Sequence, residues 1–200
     1  MFKSLKRIFI SELMEDATKT QRIAYVAIMT ALTVICTMFF EFKLADTQFS
    51  LTIFFSAMTG IIIGPLFGFV AGFLGDLVGF LYNSGGFVYY PWIGVSMGLV
   101  ALISGLIVNA IPLKFKGGIY VKLVLVSIFT FGVCTVGINT TFFWILYNMR
   151  RTPYLIYLNT RLFVQGQIWN SVVNYLLIFL LYPLIVRIKT LLIKRKKIED

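Results

Sequence analysis

The sequence predicts an all-α integral membrane protein with six transmembrane helices and both termini in the cytoplasm. Three observations carry this prediction. Hydrophobic residues make up 59% and charged residues 13% of the 200 residues, whereas about 25% of a typical soluble domain is charged. The mean hydropathy is +0.90. Six apolar segments divide the chain so that 14 of its 18 basic residues fall on one side, as the positive-inside rule requires of the cytoplasmic side.

The six segments follow one another in the order in which they would cross a hydrocarbon core of about 30 Å. The second and third need a break between them, because one helix over residues 50–82 would be about 50 Å long. Gly64-Pro65 supplies that break, since proline ends a helix. The predicted spans are Ile23–Phe40, Leu51–Gly64, Leu66–Tyr82, Pro91–Ile111, Tyr120–Tyr147 and Gly166–Val186.

Basic residues concentrate at the two ends of the chain and give it a net charge of +10. We interpret both ends as cytoplasmic flanks of the membrane domain, not as a nucleic-acid-binding surface. Residues 1–20 are predicted to form a basic amphipathic helix on the inner membrane surface, residues 21–187 the six-helix domain, and residues 188–200 a basic tail. No cleavage site follows a short apolar core, so a removed signal peptide is not expected.

Several classes of chemistry are excluded by what the sequence lacks. It has no histidine, so catalytic triads that depend on histidine and most zinc sites are excluded. Cys36 and Cys134 lie in apolar runs without CxxC spacing. No GxxxxGK[ST] loop is present, so ATP is not expected to bind this chain in that way. No enzyme activity, cofactor or metal is predicted.

Small residues at four-residue spacing predict where helices pack closely. Gly68 and Gly72 in the third span and Gly94 and Gly98 in the fourth form stripes that we expect to pack together. The first span carries the pair Ala27 and Ala31. That pair is either an ordinary packing face or a docking face for another membrane subunit. Asp76 is the only acid inside a predicted span. For this residue we favour a structural role, a hydrogen-bonded link to a neighbouring helix, over a functional one.

Polar and aromatic residues cluster at the predicted outer ends of the spans. The rings form either an aromatic belt at the interface or the lining of an outward-facing pocket. Buried amides are costly in lipid, so several of them must face a protein interior or a watery pocket. Asn170 and Asn174 share one helix face, and arginine can bind a carboxylate bidentately. The predicted binding residues are Tyr90, Trp92, Asn139, Trp144, Tyr147, Arg161, Gln165, Trp169 and Asn170. Together they suit a flat heteroaromatic ligand that carries carboxylates.

From about Ile23 to Val186 the sequence resembles the substrate-binding S components of energy-coupling factor (ECF) vitamin transporters, most of all the folate family. The residues that carry this resemblance are Ala27-xxx-Ala31, Gly64-Pro65-Leu66-Phe67-Gly68, Gly72-xx-Gly75-Asp76-Leu77-xx-Gly79, Gly85-Gly86, Tyr90-Pro91, Gly94, Gly98 and Ile138-Asn139-Thr140 with Trp144, Tyr147, Leu158 and Arg161. The last group indicates the folate family. Folate-type members often have a basic residue in place of Gln165 and a Phe-Pro-Gly-like stretch in place of Tyr90-Pro91-Trp92.

The resemblance implies a six-helix bundle with a high-affinity vitamin pocket near the outer face, closed by loops one, three and five. It implies that Ala27 and Ala31 dock on a transmembrane T component, which is coupled to two cytoplasmic ATPase subunits in the plasma membrane of a prokaryote. Asn139, Trp144 and Arg161 are the pocket residues carried over by position. The expected ligand is folate or a derivative. Another vitamin or micronutrient, such as cobalamin, pantothenate or a queuosine precursor, is the alternative.

Three other functions compete with this one. A secondary carrier would need coupling-ion sites or inverted repeats, and no internal repeat is found. An intramembrane enzyme would need an acid–base pair, which the sequence does not offer. A purely structural subunit would leave the outer cluster of amides, rings and arginines unexplained.

Overall fold

A computed structural model describes residues 9–44, 47–82, 84, 88–111, 117–149 and 151–199. These residues form a helical bundle with one short β-hairpin. The helices are α1 (Glu12–Glu15), α2 (Lys19–Phe39), α3 (Thr52–Ile63), α4 (Pro65–Tyr82), α5 (Pro91–Ala110), α6 (Gly118–Tyr147), α7 (Tyr154–Asn159) and α8 (Gln167–Glu199), and the strands are β1 (Glu41–Leu44) and β2 (Thr47–Ser50).

Every predicted span corresponds to a helix, and α2, α4, α5, α6 and α8 are long and apolar enough to cross a membrane. The exception in length is α3, which has 12 residues and is therefore about 18 Å long. The chain is thus a multi-pass membrane protein whose second apolar segment is too short to cross as a straight helix. The count of six crossings and the cytoplasmic position of the termini stay predictions.

The N-terminal segment differs from the continuous amphipathic helix predicted over residues 1–20. Within residues 9–18, α1 has four residues, and its Leu13 and Met14 are buried in the bundle core. Arg22 holds this segment in place by donating from Nε to the carbonyl oxygen of Met14 and from Nη2 to that of Glu15, at 2.9 and 3.1 Å. Apolar burial therefore anchors the segment, whereas residues 1–8 lie outside the described residues.

The predicted boundary after residue 187 has no counterpart in the backbone, because α8 continues from Gln167 to Glu199. The hairpin between α2 and α3 was also not predicted. Its strands are antiparallel, with Glu41 opposite Ser50. This pairing brings the end of α2 close to the start of α3, so residues from both ends can reach one site.

The glycine stripes of α4 and α5 pack together as predicted. A Cβ added to Gly72 would lie 3.0 Å from the carbonyl oxygen of Met97 and 3.3 Å from the Cα atom of Gly98. A Cβ on Gly68 would lie 2.7 Å from the Cα atom of Gly60 in α3. The three helices therefore approach at backbone distance, as small residues permit in membrane bundles.

The short helix α3 is capped at its N-terminus by a side chain of α8. Its N-cap residue, Leu51, has no side chain that could accept a hydrogen bond from the first turn. Instead, Asn174 accepts from the backbone N–H of Phe54 through Oδ1 at 2.9 Å and donates from Nδ2 to the carbonyl oxygen of Ser50 at 2.7 Å. Asn170 accepts from the N–H of Ser50 at 3.0 Å. The bond to Phe54 satisfies an N–H group that a helix leaves free at its first turn, and the other two pair the backbone of Ser50, just before the N-cap.

The C-terminal end of α3 is capped by α8 as well. Lys189 donates from Nζ to the carbonyl oxygen of Ile61 at 3.1 Å and to Oδ1 of Asn109 at 2.7 Å. Asn109 donates to the same carbonyl oxygen at 3.3 Å. A cation at the carbonyl end of a helix also interacts favourably with the helix dipole. Since both ends of α3 depend on α8, the two helices form one structural unit.

We expect Asn174→Leu to lower the free energy of unfolding by about 1–3 kcal/mol, because it leaves the buried N–H of Phe54 and carbonyl of Ser50 without partners. The measurement is the melting temperature of the purified protein in detergent. Asn159→Leu, an exposed position in α7, is the matched control. Equal melting temperatures for the two variants would contradict the capping role of Asn174.

Candidate functional site

A cavity of about 300 Å³ lies where the hairpin meets the ends of the helices. Its lining is mostly polar, which is unusual in a bundle of such apolar composition. The residues that line it are Thr37, Glu41, Ser50, Thr52, Ile53, Asp76, Ile93, Met97, Val100, Cys134, Thr135, Asn139, Phe143, Arg161, Gln165, Gln167 and Asn170. They come from both strands of the hairpin, from α2, α3, α4, α5, α6 and α8, and from the segment between α7 and α8, so the site exists only in the folded bundle.

Four of the predicted binding residues line this cavity, namely Asn139, Arg161, Gln165 and Asn170. The backbone that presents the first two is π-helical, over Phe131–Thr140 in α6 and Thr160–Val164 after α7. A π-turn widens the helix and is frequent at functional sites. Within the α6 segment, Thr140 donates from Oγ1 to the carbonyl oxygen of Thr135 at 2.7 Å.

The five predicted aromatic residues do not line the cavity. Tyr90 packs against Trp92 and Phe143 with centroids 4.7 and 5.2 Å apart, and its hydroxyl contacts that of Tyr147. Trp92 stacks on Phe142 at 5.5 Å. These rings form a cluster on the outside of the cavity wall, with Phe143 as the ring that reaches the cavity itself.

The other two tryptophans lie further away from the cavity. Trp144 donates from Nε1 to the carbonyl oxygen of Thr152 at 2.8 Å and packs against Tyr154, which fixes the turn between α6 and α7. Trp169 is 68% exposed. Its position fits the interfacial belt, one of the two interpretations that the sequence left open.

Arg161 lies over the face of Phe143, with Cζ 4.5 Å from the ring centroid. This cation–π contact holds the guanidinium at the cavity wall. Nη1 donates to the Tyr157 hydroxyl at 3.5 Å, whereas Nε is buried and has no hydrogen-bond partner in the described part of the protein. Since the guanidinium lines the cavity, its planar fork can bind an anionic group there.

Asn139 also has an unused polar atom. Its Oδ1 is buried and has no hydrogen-bond partner among the described residues. Buried polar atoms are nearly always paired in native proteins. Asn139 and Arg161 thus each carry a buried polar atom without a partner, and both residues line the cavity, whereas the other six such side chains of the described bundle do not.

The prediction missed the acidic side of the cavity. Glu41 at the start of the hairpin and Asp76 in α4 both line it, with Thr37 and Ser50 near the same chain ends. Asp76 accepts from the Tyr89 hydroxyl at 3.3 Å. Because Tyr89 lies in the segment before α5 and not in a helix, this link differs from the link to a neighbouring helix that the sequence predicted, and Asp76 is also part of the cavity wall. A carboxyl group at a polar turn after an apolar helix was the available signal for Glu41.

Charge is therefore distributed unevenly around the cavity. Glu41 and Asp76 can accept hydrogen bonds, and Arg161 can donate them to an anion. Burial and the neighbouring Asp76 raise the pKa of the Tyr89 hydroxyl, so Tyr89 stays protonated and donates. Among the described residues no group of three Asp, Glu, Cys or His side chains could hold a metal ion. The cavity is suited to binding a molecule with N–H donors and a carboxylate.

A second, larger concavity lies on the outer surface of the bundle, between α2 and α4. It has a volume of about 840 Å³, and its lining includes Ala27 and Ala31 together with Val34, Val70 and Leu74. Among the described residues, Arg22 is the only ionisable one in its lining besides Tyr82 at the other end. The small side chains of Ala27 and Ala31 leave a smooth apolar groove that is separate from the polar cavity.

Comparison with known proteins gives both a family and a fold. A family model described as ECF-type riboflavin transporter, S component, matches residues 17–190. No curated protein matches the sequence. Among solved structures, the chain is similar to a crystal structure of FolT bound with folic acid, with a TM-score of 0.59 and 16% sequence identity over 79% of this chain and 86% of that chain. At this identity the similarity to FolT shows the fold.

We expect Asn139→Leu to leave the free energy of unfolding of the ligand-free protein unchanged or to raise it by up to about 1 kcal/mol, because it removes a buried acceptor that has no partner to lose. The melting temperature in detergent measures this effect. Asn174→Leu, which breaks real hydrogen bonds, is the comparison. A loss in the Asn139 variant as large as in the Asn174 variant would mean that Asn139 has a structural role.

Proposed function

The chain belongs to the family of ECF-type riboflavin transporter S components, and we propose that it is the high-affinity vitamin-binding subunit of an ATP-driven uptake transporter, with folate or a folate derivative as its ligand. Proteins of this family bind substrate for transport and are not enzymes. The observation that carries the choice of ligand is the guanidinium of Arg161 at the wall of a cavity that Glu41 and Asp76 also line.

Folate matches this cavity by its chemistry. Its flat pterin ring presents N–H donors, from which Glu41 and Asp76 can accept hydrogen bonds, and its glutamate carboxylates can bind a guanidinium. The similarity to FolT supports the same ligand through the shared fold. Gln165 lines the cavity and can donate or accept hydrogen bonds where folate-type members often carry a basic residue.

Riboflavin is the second candidate, because the matching family model carries its name. Riboflavin also has a flat heteroaromatic ring with an N–H donor, but it has no carboxylate. Arg161 therefore distinguishes the two ligands. A charge-assisted bond to this residue would contribute to folate binding and not to riboflavin binding.

The exposed apolar surface of the groove between α2 and α4 supports docking of the proposed T component. Ala27 and Ala31 are exposed in the described structure, and Ile23 and Ile35, which also line the groove, are 71% and 49% exposed. A transmembrane T component packing into this groove would cover them by close approach at small residues. ATP hydrolysis belongs to two cytoplasmic ATPase subunits coupled to that T component in a prokaryotic plasma membrane.

Tryptophan fluorescence of the purified chain in detergent, titrated with folic acid and with riboflavin, tests the ligand. We expect saturable quenching by folic acid, because Trp92 packs on Phe143 at the cavity wall with centroids 5.6 Å apart. Saturable quenching by riboflavin alone would identify riboflavin as the ligand and would leave the proposed role as a vitamin-binding subunit intact. If neither compound changes the fluorescence of protein that unfolds cooperatively on heating, both ligands are rejected.

We expect Arg161→Ala to weaken folic acid binding about 10- to 100-fold, as the loss of a hydrogen bond to a charged group implies. Fluorescence titration measures the dissociation constant. Arg151→Ala, an exposed arginine in the same connection, is the matched control and should bind as the wild type does. Equal losses in both variants would contradict a specific role for Arg161.

We expect Ala27→Leu or Ala31→Leu to prevent co-purification with a co-expressed T component and its ATPases, while folic acid binding is retained. The added side chains would fill the groove that the partner needs. Ala24→Leu, on an exposed part of α2 that does not line the groove, controls for bulk alone. Complex formation by the Ala27 and Ala31 variants would place the T component elsewhere.

A further inference from the structure

Two asparagines of α8, Asn170 and Asn174, form a hydrogen-bonded pair at the wall of the polar cavity. Asn170 lines the cavity and is 7% exposed, whereas Asn174 is fully buried and does not line it. Asn174 donates from Nδ2 to the carbonyl oxygen of Asn170 at 2.8 Å and to its Oδ1 at 3.3 Å. One residue of the pair therefore meets the cavity, and the other lies behind it.

Backbone groups determine which end of each amide is the oxygen, because a backbone N–H can only donate and a carbonyl oxygen can only accept. The N–H of Phe54 meets one end of the Asn174 amide at 2.9 Å, so this end is Oδ1. The carbonyl oxygen of Ser50 meets the other end at 2.7 Å, so that end is Nδ2. By the same argument, the end of Asn170 that the N–H of Ser50 meets at 3.0 Å is its Oδ1.

The oxygen of Asn170 is thus held by two donors of the bundle, the N–H of Ser50 and Nδ2 of Asn174. The amide nitrogen of Asn170 donates to none of the described residues, yet it is not enclosed as Oδ1 of Asn139 is. Since Asn170 lines the cavity, the cavity is where this nitrogen can meet a partner.

We propose that Asn174 is a positioning residue of the ligand cavity, which holds the amide of Asn170 with its oxygen turned into the bundle. Asn170 then offers the ligand N–H donors and selects a ligand that presents an acceptor oxygen on its ring. That this oxygen belongs to a vitamin rests on the proposed function, whereas the orientation of the amide does not.

A ring carbonyl is the ligand group that fits this donor. Folate and riboflavin both carry one, and an uncharged carbonyl suits an uncharged amide, whereas the carboxylates of folate suit the guanidinium of Arg161. A site that offers a donor disfavours a ligand with an N–H at the same place, because both donors would then lack an acceptor. Asn170 therefore distinguishes a ring carbonyl from a ring amino group.

The experiment compares folic acid with aminopterin, in which an amino group replaces the ring carbonyl of folic acid. Tryptophan fluorescence of the purified full chain in detergent gives both dissociation constants, and the readout is the ratio of the aminopterin constant to the folic acid constant. Asn170→Asp keeps an oxygen for Ser50 and Asn174 but replaces the donor with an acceptor. We expect it to lower this ratio about tenfold relative to the wild type.

Gln167→Glu is the matched control, because it makes the same change from amide to carboxylate in the same helix and the same cavity. Folic acid and aminopterin carry the same carboxylates, so an added negative charge affects both dissociation constants alike. The ratio in Gln167→Glu should therefore equal that of the wild type.

Asn174→Asp tests the positioning role. It keeps the oxygen that accepts from Phe54, but its second oxygen repels Oδ1 of Asn170, so that the amide of Asn170 turns and places its oxygen in the cavity. We expect the ratio to fall in this variant as well, although Asn174 does not line the cavity. A merely structural role would lower the melting temperature and leave the ratio unchanged.

The orientation of the amide is also measured without any ligand. With asparagine labelled by nitrogen-15, nuclear magnetic resonance follows the exchange of side-chain amide protons with solvent, and the two Asp variants assign the signals. We expect the Nδ2 protons of Asn170 to exchange at least about tenfold faster than those of Asn174, which are held by hydrogen bonds.

An unchanged ratio in Asn170→Asp would overturn the proposal, and so would equally slow exchange at Asn170 and Asn174. If riboflavin is the ligand instead, Asn170→Asp should weaken its binding about tenfold more than Gln167→Glu does, and equal losses would overturn the proposal. If the wild type binds neither vitamin, the proposed function fails, while the exchange rates still decide how Asn174 orients Asn170.

Discussion

The structure depends on one physical constraint, which is that the ends of the short helix α3 lie inside an apolar bundle and cannot be left unsatisfied. In a membrane protein an unpaired backbone group costs several kcal/mol. Side chains of α8 form hydrogen bonds with backbone groups at both ends of α3, Asn174 at its first turn and Lys189 at its last. Because α8 caps α3, it also places Asn170 and Gln167 beside Ser50 and Thr52, which together form one side of the polar cavity.

The cavity is built from chain ends and widened turns instead of regular helix faces. The hairpin carries Glu41 and Ser50, and the π-helical segments carry Asn139 and Arg161. Regular helices satisfy their own backbone and expose side chains at fixed spacing, so convergent polar groups arise where that regularity is interrupted. This explains how a protein of such apolar composition brings polar side chains together in one cavity, which suits the binding of a ligand.

Part of this site could be predicted from the sequence, for a chemical reason. Asn139, Arg161, Gln165 and Asn170 are expensive to place in lipid, so their presence in or beside apolar spans already indicated a protected polar region. The aromatic residues gave no such signal, since tyrosine and tryptophan are equally stable at the interface, in a pocket and against one another. Here Tyr90, Trp92 and Tyr147 pack on one another outside the cavity.

The sequence by itself determined the membrane class, the positions of the apolar segments and the glycine stripes that join α4 to α5. These follow from local composition and helical spacing, which fix the residues that share a face. Only the tertiary structure decided what each face meets. It placed Glu41, Asp76 and Arg161 in the wall of one cavity, made Asn174 the cap of a helix 120 residues away, and buried Leu13 and Met14 in the core. Helical periodicity cannot specify such contacts, because they depend on segments far apart in the chain that come together only when the bundle is packed.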